Sequence, residues 1–203
     1  MTIHYRGTID DKTMVGKLAD EMEDFAHSLG WETERWNEEW SKPNTARISP
    51  GKRVVRTVGH APLHGITLYP HEHCQPLWLT FDPTGSLVNI VGMAMMAQKE
   101  GKTDESWTST KTQFAPIETH IAIVKLLQYV KRRYVANLEV YDDGGYWGSG
   151  DVHELQRRID SINRGLDILE SVLSANHSLL SAAKSPEELA EAIERIIRDK
   201  FGG

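Results

Sequence analysis

Val152, Leu155, Ile159, Ile162, Leu166, Leu169 and Leu173 step along the chain by 3, 4, 3, 4, 3 and 4. That alternation is the a/d pattern of a helix whose apolar seam is covered by another helix. A helix cannot bury such a seam against itself. The fold must therefore supply a partner, either a second helix of this chain or a second copy. Asp151 stands at the N-cap with Glu154 three residues on, which is a capping box. Ser185-Pro186 followed by Glu188 starts another helix in the same way, and Leu189, Ile193 and Ile196 or Ile197 give it an apolar face. Residues 151–203 are thus expected to form a C-terminal helical hairpin. It would pack on a core domain of residues 1–150 or meet a second copy in a homodimer.

The first 150 residues read differently. Met14, Leu18, Met22, Phe25 and Leu29 line one helix face after Asp10 or Asp11 as cap, and Gly30 stops the helix. The middle is rich in short β-type runs: Arg53–His60, Gly65–Pro70 and Pro76–Phe81. Asp82-Pro83-Thr84-Gly85 suits a type I turn, with a return strand from Ser86 able to run on to Gln98. Ser106–Phe114 alternates as a further strand. A second helix starts near Pro116 and carries Lys131, Arg132 and Arg133 in its last turn, where the helix dipole favours cations. Asn137–Asp143 reads as a short strand. Strands joined by short turns are antiparallel neighbours, because parallel neighbours need long crossovers. The expected fold class is α+β: one antiparallel β-meander sheet of four or five strands, covered by the N-terminal and central helices.

Composition narrows the function classes. The chain has 203 residues, 39% hydrophobic and 26% charged, enough for a real core. A formal net charge of -6 argues against a nucleic-acid binder held by bulk charge, even with Arg157, Arg158 and Arg164 near the basic helix end. No apolar run approaches the roughly 18 residues of a membrane span. The N-terminal stretch lacks the apolar segment of a secretory signal. One cysteine makes no internal disulfide. These features lead us to expect a cytoplasmic location.

Two segments carry chemistry-bearing residues. Tyr69–Trp78 holds His71, His73 and Cys74 between prolines, with His60 and His64 just upstream. Imidazole and thiolate suit zinc or a similar divalent metal, but the spacing fits no standard zinc pattern. A polar turn with Cys74 packed as a small hydrophobe explains the same residues. Cys74 as a nucleophile would need an imidazole or cation to lower its pKa. The second segment runs Asp142, Asp143, Gly-Gly, Tyr146, Trp147, Gly-Ser-Gly, Asp151. It resembles neither phosphate-binding glycine pattern, and the two aspartates repel anions. The pair suits Mg²⁺ or Ca²⁺, aided by Asp151 or His153, or else the stretch is a glycine turn. Tyr146 and Trp147 beside so many glycines make it the better guess for ligand or partner recognition.

The leading expectation is a non-catalytic binding or interaction module of bacterial type, its acidic balance suited to a basic protein partner. The alternative is a metal-dependent hydrolase that uses the His71, His73 and Cys74 loop with Asp142 or Asp143. That enzyme needs both loops within a few ångströms of each other.

Overall fold

The computed structural model describes residues 1–49, 56–98, 107–176, 181 and 185–201. The fold is α+β, with antiparallel sheets and helices, but the strands do not form one meander. They form two three-stranded sheets and a two-stranded ribbon. The chain divides into two compact units, Met1–Leu155 and Gln156–Gly203.

The first sheet is built on a strand that the sequence reading overlooked. β1 (Thr2–Arg6) lies between β7 (Thr108–Lys111) and β8 (Glu139–Asp142), antiparallel to both. Its register pairs Thr2 with Lys111, His4 with Ser109, His4 with Tyr141 and Arg6 with Glu139. Ile3 and Tyr5 are fully buried, whereas Thr2, His4 and Arg6 are half-exposed. This is the period-2 pattern of a strand with one covered face. The polar neighbours of Ile3 and Tyr5 made the segment look like a tail.

The second sheet runs β2 (Glu32–Asn37), β5 (His64–Tyr69), β6 (Leu77–Phe81), with β5 in the middle. α1 (Met14–Ser28) buries Val15, Leu18, Met22 and Ala26. Arg35 on β2 is ion-paired with Asp20 and, at 3.3 Å, with Glu23 of that helix. β3 (Arg47–Ser49) and β4 (Arg56–Val58) form the separate ribbon. Of the Arg53–His60 segment, the described strand Arg56–Val58 thus pairs with β3.

The Asp82–Gly85 turn forms as expected. Gly85 N–H donates to the Asp82 carbonyl at 2.9 Å, and Asp82 Oδ1 accepts from Thr84 N–H at 2.8 Å. The long return strand does not form. Two isolated bridges, Ser86 to Thr8 and Leu87 to Phe81, follow the turn, and Ile90–Gln98 is a helix, α2. Asn89 starts it: its Oδ1 accepts from Gly92 N–H at 2.7 Å, which is N-cap geometry. Ile90, Met93 and Ala94 are buried with Ala46, Leu63 and Val88, flanked by Trp36 and Trp78. Met93 thus packs from a helix rather than a strand.

The Tyr5 hydroxyl links the two sheets. It accepts from Trp78 N–H on β6 at 2.9 Å and lies 3.3 Å from Thr110 Oγ1 on β7. α3 (Ile117–Arg133) covers the inner face of the first sheet, where Ile123, Val124, Leu127 and Val130 are buried. The glycine segment after β8 holds one helical turn, α4 (Tyr146–Ser149). The two C-terminal helices both form, as α5 (Val152–Ala175) and α6 (Pro186–Phe201). Asp151 Oδ1 accepts from the N–H groups of His153 and Glu154, and Ser185 Oγ accepts from Glu188 N–H at 3.1 Å.

Candidate functional site

The histidine segment is dispersed. His71 and His73 sit in the β5–β6 connection, with ring centroids 5.5 Å apart. His71 Nδ1 accepts from the His73 N–H at 3.1 Å, a bond that uses one potential ligand nitrogen within the turn. Cys74 Sγ lies 3.2 Å from the carbonyl oxygen of Gln75. Burial pushes its thiol up to about 12, so it is not a thiolate nucleophile at neutral pH. His64 begins β5 and His71 follows its far end, roughly 20 Å away at strand rise. His64 Nε2 bonds the Glu38 carbonyl at 2.6 Å and its ring stacks on Trp40 at 3.9 Å. His60 Nε2 bonds the Glu39 carbonyl at 2.9 Å. These two histidines pin the chain that leaves β2. Among the described residues, no group of three or more His, Cys, Asp or Glu side chains comes together to hold a metal.

The histidine and aspartate loops share one end of the first sheet without meeting. Gln75 N–H bonds the Lys111 carbonyl, Lys111 pairs with Thr2, and Asp143 N–H bonds the Thr2 carbonyl. Three ladder steps separate Gln75 from Asp143, roughly 14 Å of backbone.

Asp142 and Asp143 part company too. The Asp142 side chain is 1% exposed on the inner face, and its Oδ1 lies 3.2 Å from His120 Nε2 of α3. The two atoms lie within ion-pair distance, at an angle outside good hydrogen-bond geometry. His120 Nδ1 is 2.8 Å from Thr112 Oγ1. Asp142 also accepts from Gly144 N–H at 2.7 Å and Trp147 N–H at 2.9 Å. Burial alone would raise its carboxyl pKa. His120 and the two N–H groups outweigh that and hold it below the usual range. Gly144 must lack a side chain here: a Cβ would lie 2.6 Å from Leu155 Cδ1 and 2.9 Å from Asp142 Oδ1. Threonine, histidine and aspartate thus line up in a hydrolase-like order, but the group is sealed from solvent. His120 lies three residues from Ile117 and four from Val124, on the apolar stripe of its helix. That spacing was the signal available for it.

Tyr146 is buried, and Trp147 is the member of the pair that faces outward. It lines an open cleft of about 760 Å³ with Lys131, His4, Trp107 and the β8 segment Leu138–Tyr141. The strand register builds the cleft's floor. Side chains at Ser109, His4 and Tyr141 form one outward row, and Trp107, Arg6 and Glu139 form the next. Tyr141 is 63% exposed and Trp107 40%. Arg6 lies 4.7 Å over the Trp107 ring and bonds Glu139 at 2.8 Å. Lys131 Nζ lies 6.0 Å from the Trp147 ring and donates to the Leu138 carbonyl at 2.7 Å. His4, Trp107 and Tyr141 escaped the sequence reading because β1 did. Without that strand, nothing places them side by side.

Comparison with protein-family models, curated proteins and solved structures returned no match. Among the described residues, no helix is long and apolar enough to cross a membrane.

Proposed function

We propose that this chain is a non-catalytic binding module whose recognition surface is the cleft along β8. The observation that carries this reading is the outward face of the first sheet. Trp107, Tyr141 and Trp147 stand exposed or half-exposed there around a concave space, with Arg6, Lys131 and Glu139 interleaved. Rigid aromatic side chains on a strand scaffold offer contact area at low entropic cost, and charged groups beside them select among ligands. The Thr112, His120 and Asp142 group lies elsewhere and is buried, and it supports the fold.

A selection from a display library of random linear peptides tests this. The wild-type chain should enrich a set of sequences that a Tyr141→Ala chain of unchanged melting temperature does not. Equal enrichment on both chains, or none on either, rejects the cleft as the recognition surface.

We also propose that the chain is a homodimer through the α5 seam. On α5, the seam residues Val152 and Leu166 are 43% and 41% exposed. Apolar side chains left exposed at seam spacing on one long helix favour a second copy as their cover.

A further inference from the structure

β8 is the outer strand of its sheet, and the cleft follows its open side. Asp143 N–H donates to the Thr2 carbonyl at 3.1 Å. Backbone groups of successive strand residues point to opposite sides. Tyr141 and Glu139 therefore face β1, as Asp143 does, and Asp142, Val140 and Leu138 face the open side. Leu138 is satisfied there: its carbonyl accepts from Lys131 Nζ and its N–H donates to the Val135 carbonyl. The Asp142 carbonyl accepts from Gly145 N–H at 2.9 Å. The N–H and C=O of Val140 have no partner among the described residues. An unpaired donor and acceptor at the middle of an open edge form a template for another strand.

We infer that β8 takes up an extended segment of a partner protein as an added antiparallel strand, with three consecutive residues in the order apolar, apolar, basic. This inference rests on the binding-module reading and specifies its ligand. The central residue lies opposite Val140 and exchanges both backbone hydrogen bonds with it. Its side chain enters the space between the Trp147 ring and the aliphatic stem of Lys131. The preceding residue lies opposite Tyr141 and packs on that ring. The following residue lies opposite Glu139, whose side chain is 58% exposed. Arg6 bonds Glu139 Oε2, and Oε1 remains to receive the partner's cation. The net charge of -6 favours a basic segment over an acidic one. A second copy fits this edge less well. Two-fold pairing of β8 with itself sets Val140 opposite Val140 and Tyr141 opposite Glu139, and it brings no cation to Oε1.

The test uses the peptide acetyl-Ser-Thr-Phe-Val-Lys-Thr-Ser-amide with the full chain, followed by amide NMR and exchange with deuterated water. Binding should slow exchange at the Val140 amide. N-methylation at the peptide's valine removes the N–H that faces β8 and should weaken binding about tenfold or more. N-methylation at its phenylalanine, whose N–H faces away, should change affinity less than threefold. A Glu139→Lys chain should prefer the peptide with glutamate in place of lysine. Equal binding of all three backbone forms, with Val140 exchange unchanged, overturns strand addition and leaves a cleft that reads side chains. Failure of this peptide, while the display selection yields Tyr141-dependent sequences of another pattern, overturns the apolar-apolar-basic order alone. Failure of both experiments removes the binding-module reading as well. A Val140 amide already protected in the free chain, and released on dilution, assigns the edge to a second copy and overturns the inference.

Discussion

Asp142 has 1% of its side chain exposed, yet it carries a charge-bearing group held below the ordinary carboxylate range by His120 and by two backbone N–H groups. A depressed carboxyl pKa is a statement about stability. The unfolded chain binds this proton at about pH 3.9. The folded chain resists it until lower pH. The contribution is therefore complete above the unfolded value and is lost as pH falls through the folded one. Asp142→Asn should lower unfolding stability at pH 7 by roughly 1–3 kcal/mol, since buried His120 and the Gly144 and Trp147 N–H groups lose the carboxylate they face. It should also flatten the acid limb: below about pH 4 the wild type loses stability that the variant no longer has to lose. Urea unfolding of both chains at pH 7 and pH 3 measures this. A stability gap as wide at pH 3 as at pH 7 rejects the linkage.

At the scale of elements, α2 shows what a sequence pattern can and cannot specify. Ile90–Gln98 is apolar nearly all round, so neither a period of 2 nor one of 3.6 stands out. A hairpin turn placed just before it made a strand the natural continuation. The deciding group is Asn89, whose side chain caps the first turn and commits the chain to a helix. Asn89→Ala should cost about 1 kcal/mol in a denaturant titration, with little change in the slope of the transition. A loss below a few tenths would mean that packing against Leu63 and Ala46 alone fixes the helix. The same contrast runs through the rest of the chain. α1, α3, α5 and α6 were legible because their apolar faces repeat over several turns, although the N-cap of α1 is Thr13 rather than Asp10 or Asp11. The Asp82–Gly85 turn was legible because Pro and Gly occupy the positions the turn needs. β1 was not, since only Ile3 and Tyr5 carry its buried face. Strand partners were not legible either. Pairing β1 with β7 and β8 joins residues more than a hundred positions apart, and no local signal encodes that. Trp147 was therefore visible as a candidate, whereas His4, Trp107 and Tyr141 became a site only through the register.

For the whole molecule, the α5 seam and the β8 cleft are separate demands on the surface. Leu155, early in the seam, is fully buried within Met1–Leu155, so the start of the pattern serves the core. Farther on, Leu166 and the neighbouring Ile168 remain exposed. A lone exposed leucine needs no explanation, but one at seam spacing on a helix of 24 residues does. The proposed homodimer supplies it. The wild-type chain should sediment at equilibrium as a dimer at micromolar concentration. Leu166→Lys, which sets like charges against each other across the seam, should sediment as a monomer. Because Leu166 is outside the first unit, the variant should keep the cooperative unfolding of Met1–Leu155 and the peptide affinity of the cleft. A wild-type chain that stays monomeric across the concentration range rejects the seam as an interface and leaves the cleft untouched. A Leu166→Lys chain that remains dimeric moves the interface to another face, and exchange at the Val140 amide then decides whether that face is the β8 edge.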